Sequence, residues 1–117
     1  KWKIVVGHHP MFTGGSRTDG YDTKAIRRSL KPIFDKYAVD VYLAGHEHSL
    51  QHLAADTRTQ HFISGAASEK TPVHITPETK MVASEYGFMV FSVTAKQILV
   101  QTVDADGKII YSTTIDK

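Results

Sequence analysis

Two histidine pairs follow apolar runs that are expected to be strands. In the first, His46 and His48 stand one residue apart in a Gly-His-Glu-His segment. In extended backbone their side chains would point the same way, as two ligands of one metal ion must. In the second, His8 and His9 follow a glycine at the end of a run of isoleucine and valine. Two strands that each end in Gly-His predict one site at the carboxyl edge of a sheet, where open α/β sheets bind their ligands.

The available ligand types narrow the kind of site. Imidazole suits zinc, iron, manganese or copper, and three histidines can form part of a site with positions left open for water. The chain has no cysteine, which excludes thiolate metal sites, disulfides and cysteine nucleophiles. The helical zinc-protease motif His-Glu-x-x-His does not fit, because Leu50 occupies the place of its second histidine.

Length and charge bound the class of protein. The 117 residues are typical of one domain, and a hydrophobic content of 41% is enough for a core. The formal net charge of +2 is too mild to imply nucleic acid or a membrane surface as a partner. No apolar run approaches the ~20 residues needed to span a bilayer.

A helix is predicted between the two histidine-bearing strands, which we place at residues 3–7 and 39–45. Asp22 or Thr23 is the expected N-cap, and Pro32 predicts a kink or a restart within the helix. The unit is therefore β-α-β, whose two strands run parallel. The apolar residues recur at the spacing of one helical face and are Ala25, Ile26, Leu30, Ile33, Phe34 and Tyr37.

The rest of the chain is predicted to form mainly antiparallel strands. Residues 50–55 and 60–64 flank a turn, and three more strands follow from residue 87 onward. Residues 66–86 are polar and hold prolines, so we expect a long loop there. The predicted fold class is α/β, a βαβ unit followed by a mainly antiparallel run of strands.

Two features predict that residues 1–117 are the C-terminal part of a longer domain. The chain starts at Lys1, directly on a predicted strand. Parallel strands need cover on both faces, and one helix covers only one of them. We therefore expect a missing N-terminal half as a partner of this chain.

The paired motifs resemble those of the calcineurin-like metallophosphoesterases, and within them the purple (tartrate-resistant) acid phosphatases. The resemblance rests on Val5-Val6-Gly7-His8-His9-Pro10, on Ala44-Gly45-His46-Glu47-His48 and on Ser64-Gly65-Ala66. It covers the whole chain but only the second half of such an enzyme. It implies the C-terminal half of an αββα sandwich and hydrolysis of phosphate esters.

The resemblance also implies a metal centre of two ions, iron with zinc, manganese or a second iron. By the family pattern, His8 and His46 are ligands of the second ion and His48 is a ligand of the first. The other ligands of the family stand on earlier motifs, so the site on this chain is incomplete. Gly7 and Gly45 are expected to permit close approach of the backbone beside the metals.

Two residues are candidates for contact with the substrate. Arg17 stands in the loop where the family often has a histidine or glutamate, and a guanidinium can hold a phosphate oxygen. A guanidinium does not lose its proton in proteins and is therefore a poor proton donor, so the identity of the general acid stays open. His74 in the long loop is the second candidate. We expect His9, His52 and His61 to be structural or near the site only, and we assign Glu47 no catalytic role because it should point away from the ligands.

Two other classes of function stay open. One is a non-catalytic binding or scaffold module on the same fold, and the other is a self-contained histidine metal-binding domain. The expected substrate is a small phosphoester, and the resemblance implies a secreted or periplasmic location. Metal identities, natural substrate and preference for monoesters or diesters do not follow from the sequence.

Overall fold

The computed structural model describes residues 1–117 and begins with the predicted βαβ unit. Strand β1 (Ile4–Val6) and strand β2 (Val41–Ala44) pair in parallel, and helix α1 (Tyr21–Tyr37) connects them. Because the strands are parallel and adjacent, their carboxyl ends lie at the same edge of the sheet.

The remaining strands form two sheets. The first has five strands in the order β1-β2-β4-β3-β5, with β2 and β4 parallel and β3 antiparallel to both of its neighbours. The second is an antiparallel sheet in the order β6-β7-β8. The predicted fold class is confirmed. The further strands are β3 (Leu50–Ala54), β4 (Gln60–Ser64), β5 (Thr79–Ala83), β6 (Gly87–Val93), β7 (Gln97–Asp104) and β8 (Ile109–Asp116).

The alternation of side chains along β2 and β4 separates two apolar cores. Tyr42 and Ile63 face the helix, where Phe34 packs against them. Val41 and Phe62 face the second sheet and pack against its apolar residues. The second sheet therefore covers the face that α1 leaves open. The argument for a missing half from uncovered strands was wrong, because the chain itself supplies the cover.

Helix α1 differs from its prediction in two respects, the effect of Pro32 and the residue at the N-cap. It runs without a break through Pro32, whose side chain is exposed, so the helix does not restart there. The N-cap is Gly20, in extended conformation and without a side-chain hydrogen bond, so neither Asp22 nor Thr23 caps the helix. Thr23 is instead buried in the first turn, and its hydroxyl donates to the carbonyl of Arg17 at 2.7 Å.

One strand was missed in the stretch 66–86, which was predicted as a loop. Strand β5 pairs with β3 at the edge of the sheet, and a bulge lies between His52 and Leu53. Edge strands need little apolar sequence because one side of the strand faces solvent.

No helix of the structure is both long and apolar enough to cross a membrane.

Two of the remaining histidines are packed, as predicted. His52 stacks on Phe62 at 4.3 Å between the ring centroids, and its ring nitrogens lie 2.8 Å from the Tyr111 hydroxyl and 2.7 Å from Gln60 Oε1. His61 is 4% exposed, packs against Phe12, and has an Nδ1 atom without a hydrogen-bond partner.

Burial of His61 predicts acid sensitivity of the fold. Burial lowers the pKa of His61 from 6.5 to about 4, so the unfolded chain takes up the proton first. Its contribution to stability is complete above pH 6.5 and is lost as the pH falls toward 4, a change of roughly 3 kcal/mol. We expect His61→Leu to flatten this part of the dependence of unfolding free energy on pH, measured by urea unfolding between pH 7 and 4. His74→Gln, which replaces an exposed histidine, should leave the slope unchanged, and equal slopes for all three chains would contradict the prediction.

Candidate metal centre

The two Gly-His segments meet at the carboxyl edge of the parallel pair. The backbone N–H of Gly7 donates to the carbonyl of Leu43 at 2.9 Å, and the N–H of Gly45 donates to the carbonyl of His8 at 3.1 Å. These bonds continue the pairing of β1 and β2 past the last strand residues. They bring His8 Nε2 to 3.0 Å from His46 Nδ1.

A third imidazole joins this pair. The ring of His9 lies 4.5 Å from that of His46 and 4.9 Å from that of His8, measured between centroids. One nitrogen of each ring lies within 4.8 Å of the other two. His9 Nε2 also lies 3.7 Å from a carboxylate oxygen of Asp22. His9 was expected near the site only, and the structure places it in a three-histidine cluster, defined here as His8, His9 and His46.

The state of His46 fits a metal ligand. Its Nε2 atom is buried and has no hydrogen-bond partner, and a buried nitrogen without a partner is costly unless something binds it. Burial lowers the pKa of His46, and the positive charge of Arg17 lowers it further. Both effects favour the neutral imidazole, which is the form that binds metals.

His48 lies apart from the cluster. The prediction that it points with His46 assumed extended backbone, but His46 has φ = 69°, in the left-handed region, and residues 46–49 form bends. The alternation of side chains fails there. His48 Nδ1 instead lies 3.0 Å from a carboxylate oxygen of Glu69, and the His48 side chain is 42% exposed.

Glu47 points into the loop that follows β1. It is 2% exposed, and its Oε2 accepts a hydrogen bond of 2.6 Å from the hydroxyl of Thr13 and one of 3.4 Å from the backbone N–H of Arg17. Its Oε1 lies 3.5 Å from Arg17 Nε. The expectation that Glu47 points away from the ligands did not include these partners, because they stand 34 and 30 residues away in the chain.

Both candidates for substrate contact reach the same loop. Arg17 lies close enough to His46 for its charge to affect that imidazole. The backbone N–H of His74 donates to the carbonyl of Gly14 at 2.6 Å, and His74 Nε2 lies 3.3 Å from the hydroxyl of Thr18. The long stretch after β4 is thus folded back onto the loop after β1, beside the histidines.

The chain is similar in sequence to known phosphoesterases. Residues 1–50 match the family described as Calcineurin-like phosphoesterase. Purple acid phosphatase 7 of Arabidopsis thaliana is 32% identical over 120 residues, which cover 99% of this chain and 36% of that protein. Tartrate-resistant acid phosphatase type 5 of Oryctolagus cuniculus is 29% identical over 126 residues, which cover 97% and 37%. The chain spans about a third of the length of these curated relatives.

Solved structures agree on the fold. A purple acid phosphatase, PPD1 from yellow lupin seeds, superposes with a TM-score of 0.81 at 17% identity, over 98% of this chain and 25% of that one. GAP50, described as the anchor in the inner membrane complex of Plasmodium, gives 0.88 at 21% identity, over 98% and 36%. The resemblance seen in the sequence is confirmed: the chain is similar to calcineurin-like phosphoesterases over residues 1–50 and to purple acid phosphatases over nearly its whole length. Its curated homologues include purple and tartrate-resistant acid phosphatases.

Gly7 and Gly45, which were both expected to permit close approach of the backbone beside the metals, have different surroundings within the chain. A Cβ at Gly45 would meet no atom within 4 Å, whereas one at Gly7 would collide with the hydroxyl of Tyr42. A Cβ at Gly15 would overlap the carboxylate of Glu47. Close approach in this region therefore occurs at Gly7, against Tyr42, and at Gly15, against Glu47.

This contrast predicts opposite outcomes for two alanine substitutions. We expect Gly15→Ala to lower the free energy of unfolding by about 1–3 kcal/mol, because the loop or the carboxylate must shift. Gly45→Ala should change it by less than about 1 kcal/mol, since the site is open and its φ is not positive. Urea unfolding of both variants at pH 7 measures the difference. A Gly45→Ala chain less stable than Gly15→Ala would contradict the packing described.

Proposed function

We propose that the chain supplies the histidine side of a two-metal phosphoesterase centre and that it hydrolyses phosphate esters as part of a longer catalytic domain. In this proposal residues 1–117 are the C-terminal part of that domain. The convergence of His8 and His46 at the edge of the parallel pair is the observation that carries it. The acid phosphatase homologues support it.

The proposed ligands follow from the donors present. His8 and His46 hold one ion, and His48 holds the other together with ligands from residues that precede this chain in the longer protein. Iron paired with zinc, manganese or a second iron suits these imidazoles. The chemistry that such ions supply is Lewis acidity, which activates water and stabilises charge on the phosphoryl group.

The loop after β1 binds the phosphoester in this proposal. Arg17 holds phosphate oxygens by charge-assisted hydrogen bonds. His74 is the candidate that donates a proton to the leaving group, since histidine is the side chain that most often acts as a general acid. The substrate is a small phosphoester, and a secreted or periplasmic location belongs to the same proposal.

Loss of one proposed ligand tests the centre. In the longer protein that contains this chain, we expect His46→Ala to reduce the turnover of p-nitrophenyl phosphate by more than about 100-fold, because even weaker perturbations around a metal cost 10- to 100-fold. The bound metal, measured by elemental analysis, should fall with it. His61→Leu, which removes a histidine on the buried strand β4, should keep both at pH 7. Wild-type turnover and metal content in His46→Ala would reject the two-metal proposal, and a wild-type protein with neither would favour the scaffold alternative.

The three-histidine cluster favours a second candidate, a metal-binding domain complete in this chain. The nitrogens of His8, His9 and His46 already lie within 4.8 Å of one another. His8 is exposed and the side chain of His9 is 33% exposed, so small rotations can bring the three rings onto one ion. Three imidazoles with one open position form a common zinc site.

The isolated chain is expected to bind one metal ion without turning over phosphoesters. Calorimetric titration with Zn²⁺ at pH 7 should give one ion per chain, and His9→Ala should weaken binding at least about tenfold. His61→Leu is the matched control and should bind as the wild type does. Absence of binding, or an unchanged affinity in His9→Ala, would contradict the three-histidine site. Hydrolysis of p-nitrophenyl phosphate by the isolated chain would show that it needs no further ligands.

A further inference from the structure

Glu47 is a buried carboxylate for which the proposed metal chemistry has no use. It stands between His46 and His48 in the chain, yet its side chain is 2% exposed and faces the loop after β1. A buried carboxylate is costly unless hydrogen bonds and an opposite charge compensate it. Here every compensating group comes from residues 13–17. The buried carboxylate of Glu47 therefore interacts with this loop and with no other part of the chain.

We propose that Glu47 is a positioning residue that clamps residues 13–17 and so holds the guanidinium of Arg17 beside His46, ready for the phosphate group of the substrate. This inference rests on the proposed phosphoesterase function. It assigns to Glu47 the phosphate-binding part of that function rather than the chemical step.

Several buried hydrogen bonds restrict the movement of residues 13–17. Thr13 Oγ1 donates to Glu47 Oε2 and in turn accepts from the backbone N–H of Gly15 at 2.9 Å. It also accepts from Gln51 Nε2 at 3.2 Å, and Gln51 Oε1 accepts from the N–H of Gly14 at 2.7 Å. Gly15 packs directly on the carboxylate, with no room for a Cβ. The loop can therefore shift only if several buried hydrogen bonds break together.

The two carboxylate oxygens of Glu47 have different partners. Oε2 accepts from the Thr13 hydroxyl and from the backbone of Arg17, and Oε1 faces Arg17 Nε at 3.5 Å. A guanidinium has five N–H donors in a planar fork. Its pairing through Nε leaves the two terminal nitrogens, which form no hydrogen bond within the chain, to bind a phosphate. The Arg17 side chain is 52% exposed and thus accessible to a ligand.

The sequence position of Glu47 ties the loop to the histidines. Its backbone follows His46 directly, and its carbonyl packs against Gly65, where a Cβ would collide with it. The carboxylate therefore has a nearly fixed position relative to the imidazole of His46. Arg17, which Glu47 holds, therefore lies at a fixed distance from the histidine cluster. Such a fixed distance is required if the arginine and a metal ion are to bind the same phosphate group.

A double-mutant cycle in the longer protein tests the clamp. We expect Glu47→Gln, which keeps the shape but removes the charge, to raise KM for p-nitrophenyl phosphate and the inhibition constant of inorganic phosphate by ~10- to 100-fold, with a smaller effect on kcat. Arg17→Ala should do the same, and the double variant should be no worse than Arg17→Ala alone. Metal content should stay at the wild-type level. Glu78→Gln, the same change at the residue that precedes β5, is the control and should leave all constants unchanged.

Hydrogen exchange of the 117-residue chain provides a readout that needs no activity. The amides of Gly15 and Arg17 depend on the clamp, so Glu47→Gln should speed their exchange at least about tenfold while amides of β7 stay protected. Unchanged exchange, or additive kinetic effects of Glu47→Gln and Arg17→Ala, would overturn the inference. A longer protein without phosphatase activity whose loop amides still respond to Glu47→Gln would refute the proposed function and keep the clamp.

Discussion

The parallel pairing of β1 with β2 is the interaction on which the site depends. Each strand carries glycine and histidine immediately after its last residue, and the pairing continues through Gly7 and Gly45 for one more hydrogen bond each. An antiparallel arrangement would place the two histidines at opposite ends of the sheet. The crossover helix α1 makes the parallel arrangement possible, and its packing on Tyr42 holds the unit together.

Two buried carboxylates hold the two ends of the β1–β2 strand pair in place. At the amino end, Asp40 accepts hydrogen bonds from the backbone N–H of Lys3 at 2.9 Å, from Arg58 at 2.6 Å and from Lys117 at 3.3 Å. Burial raises the pKa of Asp40, but these donors outweigh it and the pKa is lowered. At the carboxyl end Glu47 bonds to the loop after β1. Each acid joins segments that are distant in the chain.

Patterns with a local cause were predictable, and arrangements with a distant cause were not. Apolar runs and turn residues marked nearly all the strands, and helical spacing marked α1, because these signals depend on neighbours in sequence. Strand β5 was missed since an edge strand needs only a partner, here β3, and no apolar pattern of its own. His48 was not found with His46 in the cluster, because the left-handed residue at His46 interrupts the extended backbone that the prediction assumed. The cover over the second face of the sheet was also missed, since the pattern of strands 87–116 does not say which surface they pack against.

The amino-acid sequence by itself determined which side chains could bind a metal, that two of them end adjacent strands, and the family that these motifs resemble. Only the tertiary structure decided that His9 joins His8 and His46, that His48 lies beside Glu69, and that Glu47 turns inward to hold Thr13 and Arg17. The physical reason is that ligand type and strand ends are local properties of the chain. The partner of a buried charge is set by which segments the fold brings within hydrogen-bond distance, and that depends on the packing of the whole domain.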